Sequence, residues 1–161
     1  MPDVVGFTKH NHKHCVSTAL KAAQAQCDTR GVRFTPVRRR ALEVLLEHHR
    51  ALGAYDVLER LQEDGYGSKP PIAYRALGFL VEQGLAHRVE RLNAYVACAH
   101  PDRDHTPAIL ICSGCHKVAE AIDTTQNSGL RQMQAETGFT VASVAIEAEG
   151  TCSDCTEKAR S

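Results

Sequence analysis

The sequence predicts an α+β chain in two parts: four helices closed by a short hairpin, then a smaller unit of strands and one helix. Three observations predict it. Apolar residues recur at helical spacing as far as residue 83 and alternate afterwards. Charge is uneven: residues 1–93 carry 14 Lys/Arg against 10 Asp/Glu, net +4, and residues 94–161 carry 5 against 9, net −4. Five of the seven cysteines lie in the second half. A length of 161 residues suits one medium or two small domains, and 43% apolar content with 19 basic and 19 acidic side chains excludes a disordered tail or a collagen-like chain. No run approaches the roughly 18 apolar residues of a membrane span. The start, Met1-Pro2-Asp3-Val4-Val5-Gly6-Phe7, lacks the pattern of a secretory signal, so a cytoplasmic protein is expected. In a reducing compartment, seven cysteines point to metal or redox chemistry rather than to disulfides.

Residues 1–14 form a polar lead containing His10, His12 and His14, expected to hold little order and to be solvated rather than metal-bound. A helix is expected from near Ser17 and Thr18, with Leu20, Ala23 and Cys27 on one stripe and Gly31 just past its end. Thr35-Pro36 reads as N-cap and first position of a second helix, carrying Val37, Ala41, Val44, Leu45 and His48 at helical spacing. A third runs from about Ala54 to Asp64, with Tyr55, Leu58 and Leu61 inward and Gly65 as its stop. A fourth starts at Pro70-Pro71, buries Ile72, Ala73, Ala76, Leu77 and Leu80, and ends at Gly84. Residues 85–90 and 94–98 alternate around Arg91-Leu92-Asn93 and read as a hairpin. Helices followed by a small hairpin are the layout of a winged helix-turn-helix over residues 15–98. Its positive balance suits a polyanion. Residues 99–107, polar and with two prolines, read as a hinge.

Residues 108–161 restart with strands at Ala108–Cys112 and Cys115–Ile122, a helix over 124–137 closed by Gly138, and a strand over Phe139–Ala148. A unit of about 54 residues is marginal alone and needs a metal, a partner subunit or both. The metal is suggested by Cys112-Ser-Gly-Cys115 and Cys152-Ser-Asp-Cys155. Two such pairs supply four thiolates, which around zinc make a closed structural site. A thiol redox pair is the rival reading, but it prefers a thioredoxin-like context that this pattern lacks. His87, Cys98, His100, His105 and Glu120 are ligand-type residues left over. His87 and Cys98 sit on opposite arms of the hairpin, and with His105 and Glu120 they would make a tetrahedral N2SO set. From spacing alone the bland alternatives stay open: a hairpin histidine is usually a surface residue, and Cys98 can be a small buried hydrophobe. His100 and His116 are expected in loop and surface roles.

The stretches Arg33-Phe34-Thr35-Pro36-Val37-Arg38, Ala54-Tyr55-Asp56-Val57-Leu58 and Pro71-Ile72-Ala73-Tyr74-Arg75-Ala76-Leu77, followed by the two C-x2-C pairs, resemble the ferric uptake regulator family of metal-responsive repressors, over residues 16–155. The resemblance implies a homodimer in which each subunit joins an N-terminal winged-helix domain to a C-terminal dimerisation domain. It implies a structural zinc on Cys112, Cys115, Cys152 and Cys155 and a regulatory zinc on His87, Cys98, His105 and Glu120, two per subunit. A thiolate at Cys98 favours zinc over the harder iron and manganese ions. The implied function is a zinc-responsive repressor of zinc-uptake genes that binds operator DNA, with no enzymatic activity, no organic substrate and no membrane. The alternatives are an iron, manganese or peroxide sensor of the same family and, lower, the thiol redox protein.

The expected recognition helix is the fourth. Tyr74, Arg75 and Gly78 fall on its open side, and Arg75 can fork onto a guanine. Tyr74 and Tyr55 each also suit core packing, although the resemblance places Tyr55 at a DNA-contacting position. Arg38, Arg39, Arg40 and Lys69 are expected to meet phosphates, which position but do not specify. Ile72 departs from the family pattern, in which many members carry threonine, and so lacks a hydroxyl that could cap the helix.

Overall fold

The computed structural model describes residues 12–122 and 128–161. His10, and the start of the lead and of the helix expected from 124, lie outside the described residues. The first helix, α1 (His12–Arg30), begins earlier than the Ser17–Thr18 cap, because no glycine or proline between them interrupts it. Its stripe of Leu20, Ala23 and Cys27 is buried as expected. The second, α2 (Pro36–Leu46), opens on Thr35, whose hydroxyl accepts from the Arg38 N–H at 3.4 Å. It stops before His48, which is exposed rather than part of the buried stripe. In α3 (Ala54–Glu63), Asp56 reaches back to the Gly53 N–H at 2.9 Å. The fourth helix is α4 (Pro70–Glu82). These helices pack around Ala41, Val44, Leu45, Val57, Leu58, Leu61, Ala73, Ala76, Leu77 and Leu80.

The hairpin pairs β1 (Ala86–Val89) with β2 (Ala94–Ala97), His87 opposite Val96. Its connection is a 3-10 turn at Glu90–Leu92 and a left-handed Asn93 (φ 46°), so the strands are shorter than the alternation suggested. The smaller unit is a three-stranded sheet with β3 (Pro107–Cys112) in the centre. The antiparallel β4 (Val118–Ile122) lies on one side and the parallel β5 (Ile146–Gly150) on the other. Between them in sequence lies α5 (Ser128–Thr137), closed by Gly138 at φ 69°.

Two expected strands are shorter here, and one helix was not expected. The strand expected over Cys115–Ile122 begins at Val118, after the cysteine turn. The strand expected over Phe139–Ala148 begins only at Ile146, because the ladder to β3 starts at Ala108↔Ile146 and offers nothing to the residues before it. A sixth helix, α6 (Ser153–Arg160), is absent from the periodicity because it has no apolar stripe. Cys152 stands at its N-cap, with Asp154 in the first turn and Lys158 and Arg160 in the last, as the helix dipole favours.

The smaller unit has little core of its own. Ile109, Ile111 and Val118 cluster with Val89 of the hairpin, and Ala51 and Val96 pack alongside. The two units also meet where the Val118 N–H donates to the His49 carbonyl at 2.8 Å. None of the described side chains of α5 is buried, and Met133 and the following Phe139 are 56% and 68% exposed. A single chain thus leaves this apolar face uncovered, as a subunit awaiting a partner would. Among the described residues no helix is long and apolar enough to cross a membrane.

Candidate metal centres and nucleic-acid interface

The four pair cysteines come together. Cys112 ends β3 and Cys115 follows across a tight turn, while Cys152 caps α6 and Cys155 lies in its first turn. Their sulfurs all lie within 4.8 Å of one another. Zinc–sulfur bonds of about 2.3 Å place neighbouring sulfurs of a tetrahedron about 3.8 Å apart. The Cys115 and Cys152 sulfurs are 3.7 Å apart. A Cβ on Gly114 would stand 3.1 Å from the Cys155 sulfur, a tight contact that glycine avoids where the pairs close. The Cys152 N–H donates to the Cys112 sulfur at 3.3 Å. Backbone hydrogen bonds from Cys152 and Cys115 bring the Cys112 thiol down to about 6. Hydrogen bonds to Cys152 and Cys115 push Cys155 up to about 12. The cluster by itself favours a thiolate beside a thiol, and a bound cation is what would hold all four ionised.

The second cluster joins the two units. His87 stands on β1, Cys98 just past β2, His105 in the 99–107 segment and Glu120 on β4. Their ligand atoms also lie within 4.8 Å of one another. The Cys98 sulfur is 3.7 Å from His105 Nε2 and 3.8 Å from Glu120 Oε1. His87 Nε2 and Glu120 Oε1 are 3.0 Å apart, and His105 Nε2 and Glu120 Oε1 are 2.6 Å apart. A tetrahedral zinc site spaces such S/N/O neighbours roughly 3.3–3.6 Å apart, so the donor set fits, with the carboxylate drawn in toward the two imidazoles.

The outer contacts aim these donors. The Ala99 N–H donates to Glu120 Oε2 at 2.7 Å, leaving Oε1 for the cluster. His105 Nδ1 donates to the Arg103 carbonyl at 2.8 Å, which leaves Nε2 as the nitrogen that would bind a metal. Glu120 is 4% exposed. Burial would raise its pKa, but hydrogen bonding and charge from His87, with the Ala99 amide and His105, outweigh it and bring it down to about 2. Burial, then the Glu120 charge, pushes Cys98 up to about 12. For His105, burial acts to lower the pKa, yet the Arg103 carbonyl and Glu120 raise it. His100 stays outside the four-ligand group, its ring edge-on to His105 at 6.0 Å. His116 is exposed at φ 61°.

On α4, Tyr74, Arg75 and Gly78 are exposed, and Tyr74 is 49% exposed, so it is not core. Tyr55 is 66% exposed, which overturns its place in the inward stripe of α3; Val57 is buried instead. Ala54, Val57, Leu58 and Leu61 complete the helical spacing, and Tyr55 falls a turn-fraction away from it. Lys69 is exposed at the N-cap of α4 and makes no side-chain cap bond there. Ile72 packs on the core, against Gly67, where a Cβ would come within 2.6 Å of Ile72 Cδ1.

Two of the arginines expected on phosphates also hold contacts within the protein. Arg38 lies 3.8 Å over the Phe79 ring and donates to the Arg33 carbonyl. Arg40 contacts Glu43 at 3.2 Å, Glu47 at 2.8 Å and Asp64 at 2.5 Å, so its charge is spent within the protein. Basic residues in a run read alike in sequence; what separates Arg40 from Arg39 is its set of partners, Glu43 and Glu47 one and two turns along and Asp64 at the end of α3.

The comparisons with known proteins agree with this geometry. The family model described as "Ferric uptake regulator family" matches residues 29–149. The chain is 40% identical over 139 residues to the "Zinc uptake regulation protein" of Escherichia coli (strain K12), covering 86% of this chain and 81% of that protein. A solved structure titled "Zinc Uptake Regulator Complexed With Zinc AND DNA" superposes with a TM-score of 0.82 at 36% identity, over 95% of this chain and 100% of the other. The holo form of XcZur gives 0.78 at 33% identity, over 87% of this chain and 98% of the other. The apo form of XcZur gives only 0.50 at 32% identity, over 89% and 99%. At nearly equal identity, this chain superposes better on the holo form than on the apo form. By its matched length and its identity to these relatives, the chain belongs to the ferric uptake regulator family.

Proposed function

We propose that this chain is a zinc-responsive transcriptional repressor, a homodimer that binds operator DNA of zinc-uptake genes and is not an enzyme. The observation that carries the reading is the second cluster: two ligands on the hairpin arms, one in the 99–107 segment and one on the sheet of the smaller unit. Cys98 within it favours zinc over iron or manganese. The named zinc uptake regulators among the relatives support the same metal and the same partner.

In this reading residues 15–98 are the DNA-binding domain, 99–107 the hinge and 108–161 the dimerisation domain. Cys112, Cys115, Cys152 and Cys155 hold a structural zinc; His87, Cys98, His105 and Glu120 hold the regulatory one. Bound there, zinc supplies a fixed four-donor link that is worth more in one arrangement of the units than in the others. Ala99 and Arg103 keep Glu120 and His105 aimed, so little reorganisation is left to the ligands. With both subunits in this arrangement, the two α4 helices face successive major grooves. Tyr55, Tyr74 and Arg75 then approach the bases, and Lys69 and Arg38 approach the backbone. A full switch needs roughly 5.5 kcal/mol of differential binding.

The test is an anisotropy titration of duplexes taken from upstream of zinc-transporter genes, at buffered free zinc, with a scrambled duplex as control. Binding that needs free zinc and reverses with a chelator is expected. Binding driven equally by ferrous iron or manganese, or indifferent to metal, overturns the reading. Metal analysis of the purified dimer should give two zincs per subunit, falling to one after brief mild chelation; a single zinc that never leaves would remove the regulatory site. Replacing Arg75 with alanine should cost about 1–3 kcal/mol of operator discrimination while leaving zinc content unchanged. Equal loss on operator and scrambled duplex would instead make Arg75 a phosphate contact.

A further inference from the structure

The hairpin connection is gripped by a strand of the other unit. Its 3-10 turn, Glu90–Leu92, begins after Val89, which offers no side-chain cap, so the first N–H groups of the turn need an acceptor from elsewhere. Glu147 of β5 supplies both bonds: Oε1 accepts from the Glu90 N–H at 2.6 Å and Oε2 from the Arg91 N–H at 3.0 Å. Glu149, on the same face of the strand, pairs with the Arg91 guanidinium at 3.3 Å. Glu147 itself is seated by the ladder, opposite Ile109 in the central strand. The turn it holds joins β1, which carries His87, to β2, which leads into Cys98.

Resting on the function proposed above, we infer that Glu147 is a positioning residue for DNA binding. Its carboxylate locks the tip of the wing onto the dimerisation sheet and so holds the recognition helix in the DNA-competent pose. It is a tie between the units separate from the metal ligands and requiring no metal. A protein whose competent pose is only partly populated binds its ligand more weakly by that fraction, so losing the tie should appear as lost operator affinity.

Electrostatics predicts the opposite sign. Deleting a carboxylate from a protein that binds a polyanion should tighten binding. The test compares wild type, Glu147→Gln and Glu147→Ala as zinc-loaded dimers. Operator affinity should fall roughly three- to tenfold for the alanine variant and less for glutamine, which keeps one acceptor oxygen. The salt dependence of binding should stay unchanged, because the same phosphates are met. Zinc content and dimerisation should match wild type, and the Glu90 and Arg91 amides should lose hydrogen-exchange protection. Affinity that stays level or rises overturns the inference, as does retained amide protection or a loss of dimer or zinc. The exchange measurement needs no DNA. A wild type that ignores the operator duplexes would therefore overturn the functional reading alone, and the tie would still be judged.

Discussion

Replacing Cys115 with serine is expected to empty the four-sulfur site and to unfold the smaller unit, leaving a monomer. Structural zinc contributes about 10–16 kcal/mol to the folding of small metallodomains, as much as the entire stability of a typical domain. Here the dependence is strong because the unit has so little else. Ile109, Ile111 and Val118 are its buried cluster, and they complete it with Val89 borrowed from the hairpin. The metal cluster joins the end of β3 to the cap of α6, so losing it releases the C-terminal helix and the end of β5. Zinc analysis, sedimentation and circular dichroism together read the outcome. The helical signal of α1–α4 should survive, since those helices pack on a separate core. A serine variant that keeps all its zinc and remains a dimer would show that Cys115 is not a ligand.

Cys98→Ser is expected to do something different: to spare the fold and abolish the response. A hydroxyl surrenders its proton reluctantly and is a poorer zinc donor than a thiolate. Losing an outer partner of a metal ligand costs about 10–100-fold in metal affinity, and losing a ligand should cost more. The chelator-resistant zinc should remain, the exchangeable one should be lost, and operator binding should no longer follow free zinc. The structure makes this a clean substitution, because serine is smaller than cysteine and Cys98 lies at the edge of the core, 7% exposed. A variant that represses normally at high zinc and still carries two metals would place the regulatory site elsewhere. One that loses zinc but answers ferrous iron as well as wild type does would favour the iron-sensing alternative.

Much of this was legible in the residues. Thr35-Pro36 announced α2 through capping chemistry, and Leu20, Ala23 and Cys27 announced the buried stripe of α1 through spacing. Both signals are local, made within one or two helical turns. The cysteine pairs were legible for the same reason: two short spacings, one closed by a turn after β3 and the other by the first turn of α6. Tyr55 was harder. It sits one step from a run of apolar residues, and an aromatic ring at the start of a helix reads as core until neighbouring elements leave it uncovered. The strand expected from Phe139 failed because alternation describes a face without naming a partner, and β3 offers pairing only from Ile146. Helix α6 failed because it buries nothing; its evidence is a cap and a charge gradient, weaker signals than periodicity.

Propensity, capping and spacing act over a few residues along the chain, so the order of the elements before α6, the two-part plan and the residue types able to bind metal were readable from the residues alone. Whatever depends on distant residues meeting came from the packing of the elements. It brought Glu120 of β4 within 3.0 Å of His87 on the hairpin, 33 residues away. It set Asp64, 24 residues on, against Arg40 and left Arg75 exposed. It set Glu147 under a turn that lies 57 residues before it. Pairings of that kind leave no periodic trace in a single chain, since charge, burial and ligand geometry take effect only once the packing of separate elements has fixed which side chains share a space.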